Sequence, residues 1–80
     1  MTSLNCNENN LTALDISSNT NLTELGCAGN NLTNILDISA NTNLTYVDAE
    51  KNSLTEIIVW DTNNLPATFL YDGGVIISEP

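Results

Sequence analysis

Carboxylates are the most numerous side chains in this sequence that could do chemistry. The 80 residues hold ten Asp and Glu, one basic residue, Lys51, and no His. Two carboxylates facing each other can cleave a glycosidic bond, and the pair to consider is Glu24 or Glu50 beside Asp48. Acyl and phosphoryl transfer lack an evident base or electrophile here. Because acids on a regular repeat face are usually solvent-facing spacers, we expect no catalytic residue and a protein that is not an enzyme.

The two cysteines, Cys6 and Cys27, are 21 residues apart. If the chain repeats with that period, they occupy the same inward position on neighbouring strands about 4.8 Å apart, so distance alone does not exclude a disulfide. Cys at a small core position commonly behaves as a buried hydrophobe. Two Cys without His cannot supply the usual zinc ligands. We therefore expect buried free thiols, no metal site and no cofactor.

Asp15 and Asp37 lie at matching positions of the repeat and should be stacked neighbours of like charge. Like charges directly opposite each other destabilise a sheet, and a bound Ca²⁺ would offset the repulsion. Calcium normally takes six to eight oxygen ligands, and this stretch lacks a dense Asp loop. We expect solvated, locally hydrogen-bonded carboxylates. A Ca²⁺-dependent adhesin is an alternative, which predicts that a chelator changes the melting temperature.

These side chains are positioned by an internal repeat. Half-repeats of alternating short and long length run to Asn64, and Thr is the second residue of six in a row. Two halves make a turn of about 21 residues, which cannot bury its apolar row unless identical turns stack on it. The pattern predicts an all-β solenoid with two short parallel strands per turn and little or no α-helix. The half-repeats begin at Met1, Leu11, Leu22, Leu32, Leu44 and Leu54, and a degraded segment follows from Leu65.

Apolar and polar residues alternate inside each half-repeat, which is typical of a strand with one buried face. The inward pairs are Leu4 and Cys6, Leu14 and Ile16, Leu25 and Cys27, Leu36 and Ile38, and Val47 and Ala49. The ninth position is Asn, which at a bend can satisfy backbone groups of its own turn and of the next. We expect two architectural ladders, one per corner, made by Asn9, Asn19, Asn30, Asn41 and Asn52.

The repeat has two irregularities. The copy from Leu32 to Asn43 has one residue more than the copy from Leu11 to Asn21, which predicts a bulge at Asn34 or Ile35. After Lys51 the outer positions become apolar. Aromatic residues on rigid strands are typical contact anchors, although these could instead pack against other parts of a parent chain. The candidate binding residues, predicted to lie on one outer surface, are Tyr46, Ile58, Trp60, Phe69 and Tyr71.

The charge and the apolar pattern exclude some partners. The formal net charge of −9 opposes binding to nucleic acid or to an anionic membrane, since both depend on Lys and Arg. No apolar run approaches the roughly 20 residues of a membrane-spanning helix, and no signal peptide is evident. Because Met1 stands at a repeat position, we expect residues 1–80 to be one solenoid of about 3.5 turns, with 65–80 a degraded turn, cut from a longer chain with flanking repeats or domains.

The alternation LxxLxCxxNxL with LTxLDISxNTx, seen in Leu22–Leu32 and Leu11–Leu22, resembles bacterial leucine-rich repeats. It is most similar to the nested class with a period of about 21 residues, called IRREKO repeats. The resemblance implies a secreted or surface-anchored bacterial protein, often from Bacteroidota, that acts in adhesion or protein binding. We therefore expect an extracellular interaction scaffold with a protein partner, or a glycan as second choice. The rival hypothesis is a purely structural spacer that presents another domain.

Overall fold

The computed structural model describes residues 2–80, which form an all-β solenoid without a helix, as predicted. We number its coils 1 (residues 2–21), 2 (22–43), 3 (44–64) and 4 (65–80). Sheet A is parallel with strand order β1-β2-β4-β6, and sheet B is parallel with order β3-β5-β7. The strands are β1 (Ser3–Asn5), β2 (Glu24–Gly26), β3 (Thr33–Asp37), β4 (Tyr46–Asp48), β5 (Ser53–Ile58), β6 (Thr68–Leu70) and β7 (Ile76–Ser78).

Sheet A is regular along its whole width. Leu4 pairs with Leu25 and Leu25 with Val47, which confirms that these residues share one column. Phe69 continues the column in coil 4. Leu25 and Val47 are fully buried, and burial of such a side chain stabilises the fold by about 1.5–3 kcal/mol. This stacked apolar column, shared between coils, is therefore a main source of stability.

Sheet B contains the predicted irregularity. The pairing of β3 with β5 shifts between Asn34 and Ile35, and Asn34 has a left-handed backbone with φ of 64°. Asn34 pairs with Leu54 and Ile35 with Glu56, so Thr55 has no partner across the ladder. The unpaired residue thus lies on β5, in the shorter half-repeat, whereas the length difference predicts it on β3. Beyond the shift Leu36 pairs with Ile57, so the apolar column stays in phase.

Coil 1 contributes no strand to sheet B, so the strand predicted around Leu14 and Ile16 is wrong. Ile16 still faces the core with 1% exposure. A ladder here would place Asp15 opposite Asp37, and like charges directly opposite each other destabilise a sheet. On its other side Asp37 pairs with the uncharged Ile58, and there the ladder forms.

The corner that follows sheet A uses left-handed backbone in three successive coils. Glu8, Gly29 and Lys51 have φ values of 58°, 70° and 58°. Only one of the three is glycine, so the residue types gave little sign of this conformation. An added Cβ at Gly29 would lie 2.5 Å from the Glu8 carboxylate, which is the end of an exposed, flexible side chain and can move aside.

Residues 65–80, expected to be a degraded turn, supply one strand to each sheet, β6 and β7. They cover one end of the core, where Phe69, Val75 and Ile77 pack against the buried cluster. No helix in residues 2–80 is long and apolar enough to span a bilayer.

Candidate recognition face of sheet A

The structure does not bring the five predicted binding residues onto one outer surface. Tyr46 is 39% exposed on sheet A, whereas Ile58 lies half-buried on sheet B. Phe69 was expected on the outer face, and this is wrong, because it stacks in the core column beside Val47. Trp60 likewise packs against the core. Whether any of these residues binds a partner stays a prediction.

Tyr71 is the other exposed tyrosine, with 36% exposure against 39% for Tyr46. Its ring meets Phe69 edge-on, with centroids 4.9 Å apart. An edge-to-face pair of this kind stabilises by about 0.5–1.5 kcal/mol beyond area burial. The Tyr71 ring therefore contributes to the packing of coil 4. Tyr46, in contrast, lies on β4, an inner strand of sheet A.

Tyr46 borders a cleft of about 190 Å³ on the outer face of sheet A, which we call the sheet A cleft. The register of the strands places the residues of this cleft next to one another. Tyr46 lies opposite Glu24, Glu24 lies opposite Ser3, and Gly26 lies opposite Asn5. Three coils thus contribute to one small concave site. The lining residues are Ser3, Leu4, Asn5, Asn7, Glu24, Gly26 and Tyr46.

Two asparagines and one glycine fix the shape of the sheet A cleft. The Asn7 side-chain oxygen accepts a hydrogen bond of 2.7 Å from the Ala28 backbone N–H, and the Asn5 oxygen accepts one of 3.1 Å from the Asn7 N–H. The Asn7 amide lies against Gly26, where a Cβ would approach it to 3.1 Å. Glycine therefore allows the amide of coil 1 to lie flat on the strand of coil 2.

The hydrogen bonds of the sheet A cleft leave specific groups unused. Within residues 2–80, the Nδ2 groups of Asn5 and Asn7 donate to no acceptor, and the Glu24 carboxylate accepts from no donor. The site therefore offers N–H donors and carboxylate acceptors beside an aromatic ring. Sequence reasoning named Tyr46 but missed the asparagines. The available signal was Gly26, which is the one position without a side chain in a column that also holds Asn5, Asp48 and Leu70.

The five architectural asparagines differ in what they bond. Asn30 donates to the Cys6 carbonyl of the preceding coil at 3.0 Å and accepts from the Leu11 N–H at 3.1 Å. Asn52 repeats this arrangement with Cys27 and Leu32. Both asparagines also donate to carbonyls of their own turn, as expected, whereas the bonds expected to reach the next turn reach the preceding one.

The remaining three asparagines differ from this arrangement. Asn41, at the other corner, donates to the Ile16 and Asn19 carbonyls at 2.9 Å each. Its Oδ1 is buried without a partner in residues 2–80. Asn9 bonds only carbonyls of its own coil, and no side-chain bond of Asn19 is found within residues 2–80.

Asp15 and Asp37 flank a second cleft, of about 340 Å³, beside sheet B. Each carboxylate accepts hydrogen bonds from the Ser two residues later, with O–O distances of 2.6 Å to Ser17 and Ser39. The Ser17 contacts lower the pKa of Asp15 below its ordinary value. No group of three or more potential metal ligands occurs in residues 2–80.

The remaining reactive groups have local roles. Cys6 and Cys27 are free thiols, and Cys6 Sγ donates to the Gly26 carbonyl at 3.3 Å. Burial, together with the charges of Cys6 and Asp48, raises the pKa of Cys27 to about 12, so it is not a nucleophile near neutral pH. The Asp48 carboxylate accepts the Glu50 backbone N–H at 3.2 Å, which is a local turn contact.

No family model matches this chain, and searches of curated proteins and of solved structures also give no match. What the chain does must therefore be argued from its own geometry. Among residues 2–80, the sheet A cleft is the site where an exposed aromatic ring and unused polar groups converge.

Proposed function

We propose that this chain is a segment of a bacterial leucine-rich repeat protein of the nested 21-residue class, secreted or held at the cell surface. It serves as a non-enzymatic scaffold for adhesion or protein binding. The Leu-Thr start of five of the six half-repeats and the recurrent corner Asn support the assignment. The all-β solenoid of about four coils supports its coarser part, the repeat architecture.

One observation carries the functional proposal: Tyr46 is exposed on a strand whose neighbours on both sides are locked in register. Exposed aromatic side chains on rigid strands lose little conformational entropy on binding, and they are frequent anchors of interfaces. Below the strand, Val47 is fully buried and fixes its position. The recognition surface in this proposal is therefore the outer face of sheet A.

The net charge of the chain limits the classes of partner that it can bind. The net charge of −9 favours partners with basic or neutral surfaces and opposes nucleic acid and anionic membranes. The partner classes are thus a protein with a neutral or basic patch, or a neutral glycan.

Binding of the fluorescently labelled chain to intact eukaryotic and bacterial cells tests the proposal. We expect saturable binding that Tyr46→Ala weakens by more than about tenfold, which corresponds to about 1.4 kcal/mol. Tyr71→Ala is the matched control, because Tyr71 has similar exposure and lies outside the sheet A cleft. Trp60→Ala is a poor test, since Trp60 packs against the core.

The competing functions give different results in the same assay. A structural spacer shows no saturable binding to any cell type, and that result would contradict the proposed scaffold. A calcium-dependent adhesin loses binding and melts at lower temperature after chelation. We expect neither change, because no cluster of metal ligands occurs in residues 2–80.

A further inference from the structure

We infer that the sheet A cleft binds one neutral sugar residue of a glycan. The inference rests on the proposed function and deepens it, because it names the ligand chemistry of the same face.

The free polar groups complement a sugar. A sugar hydroxyl both donates and accepts hydrogen bonds. The unused amide groups of Asn5 and Asn7 supply donors to hydroxyl oxygens, and the unused Glu24 carboxylate accepts from hydroxyl hydrogens. The orientation of both amides is fixed, because their oxygens are held by backbone N–H groups. Preorganised donors cost less entropy on binding than free side chains.

The walls of the cleft supply the apolar part of the contact. Tyr46 is exposed and offers an aromatic surface for the C–H groups of a sugar ring. Gly26 lies one strand away and two residues beyond the register partner of Tyr46, and it adds no side chain to the floor. Any larger residue there would displace the Asn7 amide, since its Cβ would lie 3.1 Å from it.

The charges at the cleft favour neutral sugars over anionic sugars. Glu24 is the one acidic residue that lines the cleft, and the cleft has no basic residue. A net charge of −9 adds a long-range repulsion for anions. Sulfated, phosphorylated and uronic acid sugars would have no cation to pair with. The cleft therefore suits a neutral hexose or N-acetylhexosamine.

The volume of the cleft favours a sugar over a peptide. The cleft holds about 190 Å³, which is less than the roughly 300–1,000 Å³ of clefts that hold drug-sized ligands. One ring fits such a volume better than several peptide residues do. Contacts of this extent give weak binding, and we expect a dissociation constant of the order of 1 mM for a single sugar.

Titration of the ¹⁵N-labelled chain with methyl glucoside, methyl galactoside, methyl mannoside and N-acetylglucosamine, followed by NMR, tests the inference. At least one sugar should shift the Asn5 and Asn7 side-chain amide signals and the Gly26 backbone signal, saturating with a dissociation constant near 1 mM. Glucuronic acid should bind at least about tenfold more weakly, for lack of a cation to pair with. A basic Lys-rich peptide serves as the comparison for purely electrostatic binding.

Three variants locate the site. Tyr46→Ala should weaken sugar binding at least tenfold, Glu24→Gln should weaken it several-fold, and Tyr71→Ala should leave it unchanged. The dispersion of the NMR spectrum reports whether each variant is folded. If Tyr46→Ala loses its fold, Tyr46→Ser in the same assay, together with Glu24→Gln, decides the result.

The outcomes separate this inference from the proposed function. If no sugar shifts these signals at about 20 mM, twenty times the expected dissociation constant, while cell binding persists, the sugar inference is overturned and the scaffold stands. Preference for glucuronic acid or for the Lys-rich peptide would also overturn it, as would equal loss in Tyr71→Ala. Absence of both sugar binding and cell binding overturns both proposals.

Discussion

Coils 1 and 2 have nearly the same sequence rhythm but different structures. Coil 2 has a strand in each sheet, and its apolar residues Leu22, Leu25 and Leu32 are buried. Coil 1 has a strand only in sheet A, and its equivalent residues, such as Leu4 and Leu11, are half-buried. The difference shows that burial depends on the neighbouring coils as well as on the sequence of a coil, because β1 lies at an edge of sheet A whereas β2 lies between β1 and β4. Matched substitutions in the two coils therefore isolate the contribution of stacking.

The largest difference is expected for the paired core residues Leu25 and Leu4. Leu25→Ala should lower the free energy of unfolding by about 3–5 kcal/mol, because it leaves a cavity between two covering coils. Leu4→Ala should lower it by about 1–2 kcal/mol, since Leu4 is half-buried and lies at an edge of sheet A. Urea unfolding followed by circular dichroism measures both values. Equal losses would mean that stacking does not govern stability.

The next largest difference is expected for the corner asparagines. Asn30→Ala removes bonds to coil 1 and leaves the Leu11 N–H without its acceptor, which should cost about 2–4 kcal/mol. Asn9→Ala removes bonds only within its own exposed coil and should cost less than about 1 kcal/mol. Amide hydrogen exchange at Leu11 should accelerate in Asn30→Ala alone. Unchanged exchange there would contradict the role assigned to Asn30.

The reactivities of the two thiols, Cys6 in coil 1 and Cys27 in coil 2, test the same comparison. Cys27 is fully buried and its pKa is raised to about 12, so alkylation at pH 8 should proceed at least about tenfold more slowly than at Cys6. A raised folded pKa stabilises the folded state fully below the unfolded value of 9.0, and this contribution is lost as pH rises towards about 12. Urea should remove the difference in rate. Fast labelling of Cys27 in native conditions would show that coils 1 and 2 separate readily.

The smallest effect concerns Asp15 in coil 1. Hydrogen bonds from Ser17 lower its pKa, so its contribution to stability is present above the ordinary value of 3.8 and is lost as pH falls through the folded pKa. Ser17→Ala should raise the pKa of Asp15 towards 3.8, measured by NMR titration of the carboxyl carbon. Ser18→Ala is the control, because Ser18 lies next to Ser17 and makes no side-chain hydrogen bond within residues 2–80. An equal shift in both variants would rule out the specific contact.

The parts of the fold that follow from the repeat were predictable, and the parts that depend on mismatches between copies were less so. The period placed Leu4, Leu25 and Val47 in one column, and the extra residue of one copy placed the bulge near Asn34. The missing strand in coil 1 depends on which side chains two copies would place opposite each other, here Asp15 and Asp37, which no single copy reveals. Phe69 was misplaced because the pattern is lost after Lys51, so its register with Val47 was not visible.

The candidate site was predicted only in part, for a related reason. Tyr46 could be placed outside by alternation alone. The amides of Asn5 and Asn7 acquire their arrangement from Gly26 and Ala28, which come from the next coil. Contacts of this kind combine residues about 21 positions apart, and they depend on side-chain geometry as well as register.

The direction of the corner bonds has a consequence for how the protein is made. Asn30 and Asn52 each fasten their own coil to the coil synthesised before it. In a growing chain, the newly emerged coil therefore carries the Asn side chain that hydrogen-bonds it to the coil before it. Each completed coil in turn waits for the next one, because the Leu11 and Leu32 N–H groups gain their acceptors only from Asn30 and Asn52, so the corners close one after another from the N-terminal end.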